Sequence, residues 1–300
     1  MSLWETLTNF DDAWPLLLRP GLIGAALCAM CGVLSVPVVL KRLSFAGQGI
    51  SHSAFGGIGV AAVVGVLMAG GGAAAVGVGQ GGLVEFGIVL VFCIGAAMLM
   101  SSVGDRKTTH EDTGIGMLLV AAMALGGLLV EVSRQLAVAK GLAPSARTWE
   151  SVLFGSVMVS GDGDVWLAWG VATAVIAAAW WWRRGLLFWT LDEQSAPVFG
   201  VPARRMRALL MALLAVAVVT SMKLAGVVPA TALLVLPGAI ALRLSKSLRS
   251  VIALAVGTAV AGLVAALLLA VALNIQPGPA LVLVLTGIYG GAAVVRRAGA

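Results

Sequence analysis

His52 is one of only two histidines in the 300-residue chain, and it lies in a polar, glycine-rich block formed by residues 41–57. Ser51 and Ser53 flank it, but no neighbouring carboxylate would orient the imidazole, so a serine-hydrolase site is a weak interpretation. The block separates two long apolar segments. Because an unpaired polar group is costly in hydrocarbon, such a block persists only inside protein or along a cavity. It therefore predicts a transport pathway.

Two other motifs resemble those of enzymes or redox sites, but their positions in the sequence favour structural roles. Gly161-Asp-Gly-Asp164 matches the G-x-G-D of intramembrane aspartyl proteases, which need two facing carboxylates, but it lies in a predicted outer loop. The only tyrosine, Tyr289, is followed by glycine, so the Tyr-Asp partner motif is missing. Cys28 and Cys31 form a C-x-x-C inside an apolar stretch, where thiols are typically small packing residues. We therefore predict that the chain is not an enzyme and has no disulfide.

The composition defines the elements that must hold the polar block. The chain is 60% hydrophobic and 11% charged, with a mean hydropathy of +1.06, which exceeds what a soluble core needs. Several apolar windows approach the roughly 20 residues that a membrane-spanning helix requires. The windows are 21–40, 53–69, 83–100, 113–130, 165–182, 206–220, 226–242, 251–273 and 280–295. The short windows 53–69 and 226–242 adjoin polar, glycine or proline residues and are expected to be broken or re-entrant. The predicted fold is an all-α polytopic membrane protein with eight to nine transmembrane segments.

The distribution of the 19 Lys and Arg residues predicts the orientation. If nine segments each cross once, most of these residues fall on the cytoplasmic side when the C-terminus is inside and the N-terminus outside. The sequence pI of about 9.8 then follows from topology and requires no nucleic-acid partner. The start has no basic region before its first apolar run, so residues 1–20 are expected to form a short interfacial segment instead of a cleaved signal.

Residues 191–206 form the most informative polar segment. Asp192 and Glu193 would favour the positive end of a short helix lying against the membrane, Gly200 would end that helix, and Pro202 would start the next one. A simple connecting loop is the alternative.

Six collinear blocks resemble the integral-membrane permease of bacterial ABC importers for zinc, manganese or iron, and more distantly the cobalamin and siderophore permeases. The blocks are 41–57, 111–116, 149–155, 192–202, 225–241 and 277–279. The resemblance implies one transmembrane permease domain over residues 1–300, with 191–206 as its cytoplasmic coupling segment. It also implies a homodimer in the bacterial cytoplasmic (inner) membrane, cytoplasmic ABC ATPase subunits, and an extracytoplasmic solute-binding protein. The chain lacks a P-loop, so a separate subunit would hydrolyse ATP.

The resemblance also implies roles for individual residues. His52 matches the family's histidine, and Gln48 stands one helical turn earlier, where the family has Asp. Imidazole and amide groups can bind Zn²⁺ or Mn²⁺, with Fe²⁺ as a further alternative, and no permanent cofactor is expected. Asp112 is a further candidate metal ligand near the cytoplasm.

The coupling and docking residues follow from the same resemblance. The residues expected to contact the ATPase are Asp192, Glu193, Ala196 and Gly200, the last two because small side chains allow close backbone approach. Glu85 and Glu150 are predicted outside, where they would help to dock the binding protein.

The predicted function is import of a divalent transition metal by alternating access. A secondary transporter driven by an ion gradient is one alternative, although few ionisable groups lie within the spans. An ABC permease for a metal chelate, such as a siderophore or cobalamin, is another, and it would have a large cavity with no ligand role for His52.

Overall fold

The computed structural model describes residues 10–68, 82–103, 111–141, 161–245 and 247–298, and in these ranges the regular structure is helical. The helices are α1 (Phe10–Leu40), α2 (Ser44–Met68), α3 (Leu83–Val103), α4 (Glu111–Ala139), α5 (Asp162–Trp181), α6 (Arg183–Leu191), α7 (Ala203–Ala225), α8 (Val227–Leu244), α9 (Leu248–Leu273) and α10 (Pro277–Ala298). Within the described ranges, nine helices are long and apolar enough to cross a membrane, and the short α6 is the exception. The prediction of an all-α polytopic fold is confirmed.

The described start of the chain is helical. Helix α1 already begins at Phe10, so residues 10–20 continue into the first apolar window instead of forming a separate segment. Residues 1–9 lie outside the described part of the chain.

The 53–69 window, which was expected to be broken or re-entrant, is not broken over its described residues, because α2 is continuous from Ser44 to Met68. Its serines explain how a polar block remains helical in an apolar setting. The Ser51 hydroxyl donates to the Gly47 carbonyl at 2.9 Å, and the Ser53 hydroxyl donates to the Gly49 carbonyl at 2.8 Å. Each hydroxyl is thus satisfied one turn back within its own helix.

A real interruption lies between α7 and α8. Gly226 alone separates the two helices, and its φ of +98° is a backbone conformation that side chains other than glycine rarely adopt. Helix α8 also contains Pro237. The punctuation at the start of the 226–242 window therefore marks a helix boundary.

The helices pack as two compact units. The described residues of the first are 10–44, 161–201 and 220–298, and α1 is its central helix, in contact with α5, α6, α8 and α9. The α1 and α8 backbones approach closely, because a Cβ on Gly238 would lie 2.5 Å from the Ser35 carbonyl oxygen. The Cys28 thiol donates to the Ala259 carbonyl at 3.3 Å, and Cys31 shares a hydrogen bond with Ser221 at 3.4 Å. Both cysteines are free thiols buried in packing positions.

The second unit contains most of α2 together with α3, α4 and residues 202–219. Glycines bring α2 and α4 into backbone contact: a Cβ on Gly126 would lie 2.5 Å from the Phe55 carbonyl oxygen, and a Cβ on Gly59 would lie 2.8 Å from the Gly126 carbonyl oxygen. Gly57 also lies close to α3, since a Cβ at that position would come within 3.0 Å of the Val89 Cα. These contacts fix α2 just beyond His52.

Candidate functional site

His52 and Gln48 lie one turn apart on α2 and on one face of that helix. The Gln48 side chain is exposed and His52 is half-buried. The imidazole stacks on the Phe55 ring, with ring centroids 5.9 Å apart and an angle of 20° between the planes. Phe55 therefore sets the plane of the ring, and the helix brings the two predicted metal ligands together.

The imidazole has an unusual hydrogen-bond status. Its Nδ1 atom is enclosed by protein and has no hydrogen-bond partner among the described residues. Buried polar atoms are nearly always paired, so an unpaired ring nitrogen calls for an explanation such as an ion or water that occupies the site. The neighbouring serine hydroxyls donate within α2, whereas the imidazole retains a buried ring nitrogen with no partner among the described residues.

The remaining metal-ligand candidates are not assembled around His52. Asp112 lies in the first turn of α4, and its side chain is outside the described part of the structure. Across the residues whose side chains are described, no three His, Cys, Asp or Glu groups come together as a metal site. A complete coordination shell would therefore need ligands beyond those described here.

The second candidate region is the turn formed by residues 192–201, which follows α6 directly. The Asp192 carboxylate accepts hydrogen bonds from the backbone N–H groups of Gln194 at 3.1 Å and Ser195 at 3.0 Å, as an N-cap residue does. The Ser195 hydroxyl and N–H hold the pKa of the Asp192 carboxyl below its ordinary value, with smaller contributions from the Gln194 N–H and from Lys41. The sequence prediction that Asp192 starts a short helical segment is consistent with this geometry.

The other end of the 192–201 turn closes as a Schellman motif. The Val201 N–H donates to the Ala196 carbonyl at 2.9 Å, and the Gly200 N–H donates to the Pro197 carbonyl at 3.1 Å. Gly200 has a φ of +76°, the left-handed conformation that this position requires. A single capped helical turn, instead of a longer helix or an open loop, therefore separates α6 from α7.

The exposed face of the 192–201 turn differs from the predicted one. Ala196 is completely buried within the chain, so it cannot offer its small side chain to a partner as the sequence suggested. Val198 and Phe199 are instead 84% and 72% exposed. Sequence reasoning missed these two residues, although two large apolar side chains in an otherwise polar segment were an available signal.

An ion pair between Glu193 and Lys41 connects the 192–201 turn to the end of α1. Lys41 Nζ lies 2.7 Å from Glu193 Oε2 and 4.3 Å from the centre of the Trp189 ring, which is fully buried in α6. The cation thus makes an ion pair and a cation–π contact at once. Glu193, predicted to face the ATPase, is engaged with its own chain.

The predicted docking residues have mixed outcomes. Glu85 is only 4% exposed, and a docking residue must be accessible, so its burial argues against that role. Glu150 lies outside the described residues.

The Gly161-Asp-Gly-Asp164 motif starts α5 and does not lie in a loop. Its two carboxylates face different cations: Asp162 pairs with Arg19 at 2.9 Å, and Asp164 lies 3.6 Å from Lys223. Asp164 also accepts a hydrogen bond from the Gly161 N–H at 3.1 Å. These contacts give the motif a structural role in fixing the start of α5.

Comparison with known proteins agrees with these features. The sequence profile of the ABC 3 transport family matches residues 13–296. The chain is similar to the manganese transport system membrane protein MntC of Halalkalibacterium halodurans, with 28% identity over 87% of this chain and 80% of that protein. It is likewise 28% identical to a probable metal transport system membrane protein of Thermotoga maritima, over 93% and 90% of the two chains.

The fold is also similar to a solved structure, PsaBC from Streptococcus pneumoniae in complex with Fab. The TM-score is 0.76 at 24% sequence identity, and the match covers 95% of each chain. The resemblance recognised in the sequence motifs is confirmed, and the chain is a member of the ABC 3 transport family.

Proposed function

We propose that this chain is the membrane permease subunit of an ATP-driven importer of a divalent transition metal, with manganese as the cargo. The observation that carries the proposal is the His52 imidazole, held on a glycine-packed helix with an unpartnered nitrogen and with Gln48 one turn away. Family membership and the names of the relatives support the choice of manganese. Nitrogen and oxygen ligands suit Mn²⁺, which a transporter must also release.

The pathway is completed by a second copy of the chain. Imidazole and amide from one α2 supply two ligands, and a two-fold arrangement would supply four from paired helices. Because Gln48 is neutral, the site carries less negative charge than one with a carboxylate at that position. Weaker binding of the cation in transit is the expected consequence, and it favours release.

The energy input reaches the permease at the 192–201 turn. ATPase subunits would bind the exposed Val198 and Phe199 side chains, which are apolar and rigidly presented by the capped turn. The Lys and Arg distribution supports placing this turn, the ATPases and the C-terminus in the cytoplasm of a bacterium, and a solute-binding protein on the opposite face. Closure of the ATPases on ATP would then alternate the access of His52 between the two sides.

The first test is affinity purification of the tagged chain from its native membrane, with mass spectrometry of the partners that co-purify. A stoichiometric P-loop ATPase supports the proposal. A folded complex that reproducibly lacks an ATPase contradicts it.

The second test is manganese uptake by cells that carry His52→Ala, with Ser51→Ala as the matched control. The control removes a neighbouring hydroxyl that is committed to α2, so it should retain uptake. His52→Ala should assemble normally and lose uptake of the isotope-labelled cation. Wild-type uptake by an assembled His52→Ala complex would refute the role of the imidazole.

A further inference from the structure

The ion pair between Lys41 and Glu193 joins segments that are 152 positions apart in sequence. The Lys41 side chain is only 13% exposed and Glu193 is 38% exposed, and the ammonium also rests on the buried Trp189 ring. Solvent and salt screen such an enclosed pair less than a surface pair. The contact therefore holds the 192–201 turn in a defined position against the end of α1.

Lys41 is connected to α2 by a short and rigid segment. Residues 41–43 link α1 to α2 and end α1 in a second Schellman motif. The Arg42 N–H donates to the Val39 carbonyl at 3.1 Å, and the Leu43 N–H donates to the Val38 carbonyl at 2.9 Å. Arg42 has a φ of +57°, which is uncommon outside glycine and persists where the surroundings determine it. The connector is three residues long and is hydrogen-bonded to the end of α1, so we expect a displacement of Lys41 to be passed along the chain to the first turn of α2.

The predicted metal ligands lie close to that connector. Gln48 and His52 follow the first residue of α2 by about 6 and 12 Å along the helix axis. A rigid helix transmits a displacement of its first turn to these positions.

We propose that Lys41 and Glu193 are positioning residues that transmit movement of the 192–201 turn to α2, and thus to His52. The inference rests on the proposed function, since it assumes an ATPase that moves the turn. Neither residue is among the predicted metal ligands. When the 192–201 turn moves, the ion pair with Glu193 would move Lys41 with it. The connector formed by residues 41–43 would then pass this movement to α2.

An ion pair in the N-terminal half of α1 provides the control. Arg19 Nε lies 2.9 Å from Asp162 Oδ1, and both side chains are more than half exposed. The Arg19 and Lys41 positions are about 33 Å apart along the axis of α1; Arg19 lies nine residues after the start of the helix, and Lys41 follows its last residue directly. This second ion pair has the same chemistry but no link to the 192–201 turn.

The experiment measures manganese uptake and ATP hydrolysis together in vesicles that contain the complete purified transporter. The variants are Lys41→Met, which keeps an apolar stem over Trp189, Glu193→Gln, and the double variant. Arg19→Met and Asp162→Asn are the controls. Thermal unfolding midpoints are recorded for the wild-type protein and all five variants.

We expect each single variant to hydrolyse ATP but to transport less metal per ATP than the wild type, by a factor of about five or more. A factor of about five is the lower end of typical coupling between two sites. The double variant should fall no further than either single variant, because the pair acts as a unit. The controls should keep the wild-type ratio.

Two results would overturn the proposal: an unchanged ratio of uptake to hydrolysis in the single variants, or losses that add in the double variant. A ratio that falls only in proportion to a lowered unfolding midpoint, and equally in the controls, would also overturn it. Failure of the wild-type complex to transport manganese with ATP would instead refute the proposed function.

Discussion

Replacing Gly126 by alanine should separate α4 from α2 and disturb the helix that carries His52. The new Cβ would lie 2.5 Å from the Phe55 carbonyl oxygen and 2.8 Å from the Gly56 nitrogen, whereas ordinary contacts begin near 3.4 Å. The two backbones must therefore move apart by about 0.9 Å, since backbone atoms cannot rotate away as a side chain can. Overpacking of this kind typically costs about 1–3 kcal/mol.

Gly127 provides the matched control, because a Cβ at that position meets nothing within 4 Å. Both substitutions gain about 0.5–1 kcal/mol from replacing glycine within a helix. This gain cancels between the two variants, so their difference in the free energy of unfolding isolates the steric cost of about 1–3 kcal/mol.

The assay is the unfolding midpoint of each purified variant in detergent at one scan rate, followed by manganese uptake in cells. Gly126→Ala should unfold earlier than Gly127→Ala and transport less metal. A Gly126→Ala protein as stable and as active as Gly127→Ala would refute the argument that backbone contact positions α2.

Three further predictions concern the 192–201 turn. Gly200→Ala should lower the free energy of unfolding by about 1 kcal/mol because of its left-handed φ, and Gly200→Asn by less, since asparagine tolerates that conformation; denaturation of both variants measures the order. Phe199→Asp should lower the unfolding midpoint only slightly, since the mostly exposed ring loses one edge-to-face contact with Phe188 at 5.3 Å between centroids, but it should abolish co-purification of the ATPase; a retained ATPase would contradict the assigned docking face. Asp192 has a lowered pKa, so it contributes stability that is complete above the ordinary Asp value of about 3.9 and is lost as the pH falls through its own lower value. When the unfolding midpoint is plotted against pH, the Asp192→Asn variant should therefore show a smaller decrease at acid pH than the wild type. Parallel curves for the two proteins would contradict a stabilising role of the Asp192 cap.

Local sequence signals predicted much of this molecule. Long apolar windows define the spans, because a bilayer imposes a minimum length that is visible in any window of that size. The caps at Asp192 and Gly200 were predictable for a similar reason, since each depends on residue type and on backbone groups a few positions away.

Features that depend on distant residues were not predictable in this way. Nothing near Lys41 indicates that Glu193 is its partner, and nothing near Gly126 indicates that it contacts the Phe55 backbone. Glu85 was predicted to be available for docking because the predicted topology places it outside, yet packing buries it. Each of these facts requires knowledge of which helices are neighbours.

The packing of α1 has a consequence for the order in which the protein is made. Its partners come late: Ser221 and Ala259 follow the cysteines they contact by 190 and 231 positions. At a synthesis rate of roughly 5–20 residues per second, α1 waits about 10–50 s before α9 exists. By that time α2, α3 and α4 have been synthesised. The glycine contacts of α2 with α3 and with α4 involve no residue of α1. A nascent chain released before residue 248 would leave uncovered the face of α1 that contacts α9, where a Cβ on Gly24 would lie 2.6 Å from the Leu263 side chain and a Cβ on Gly32 would lie 3.0 Å from the Val256 Cα. An exposed interhelical face of this kind would distinguish an unfinished molecule from a finished one.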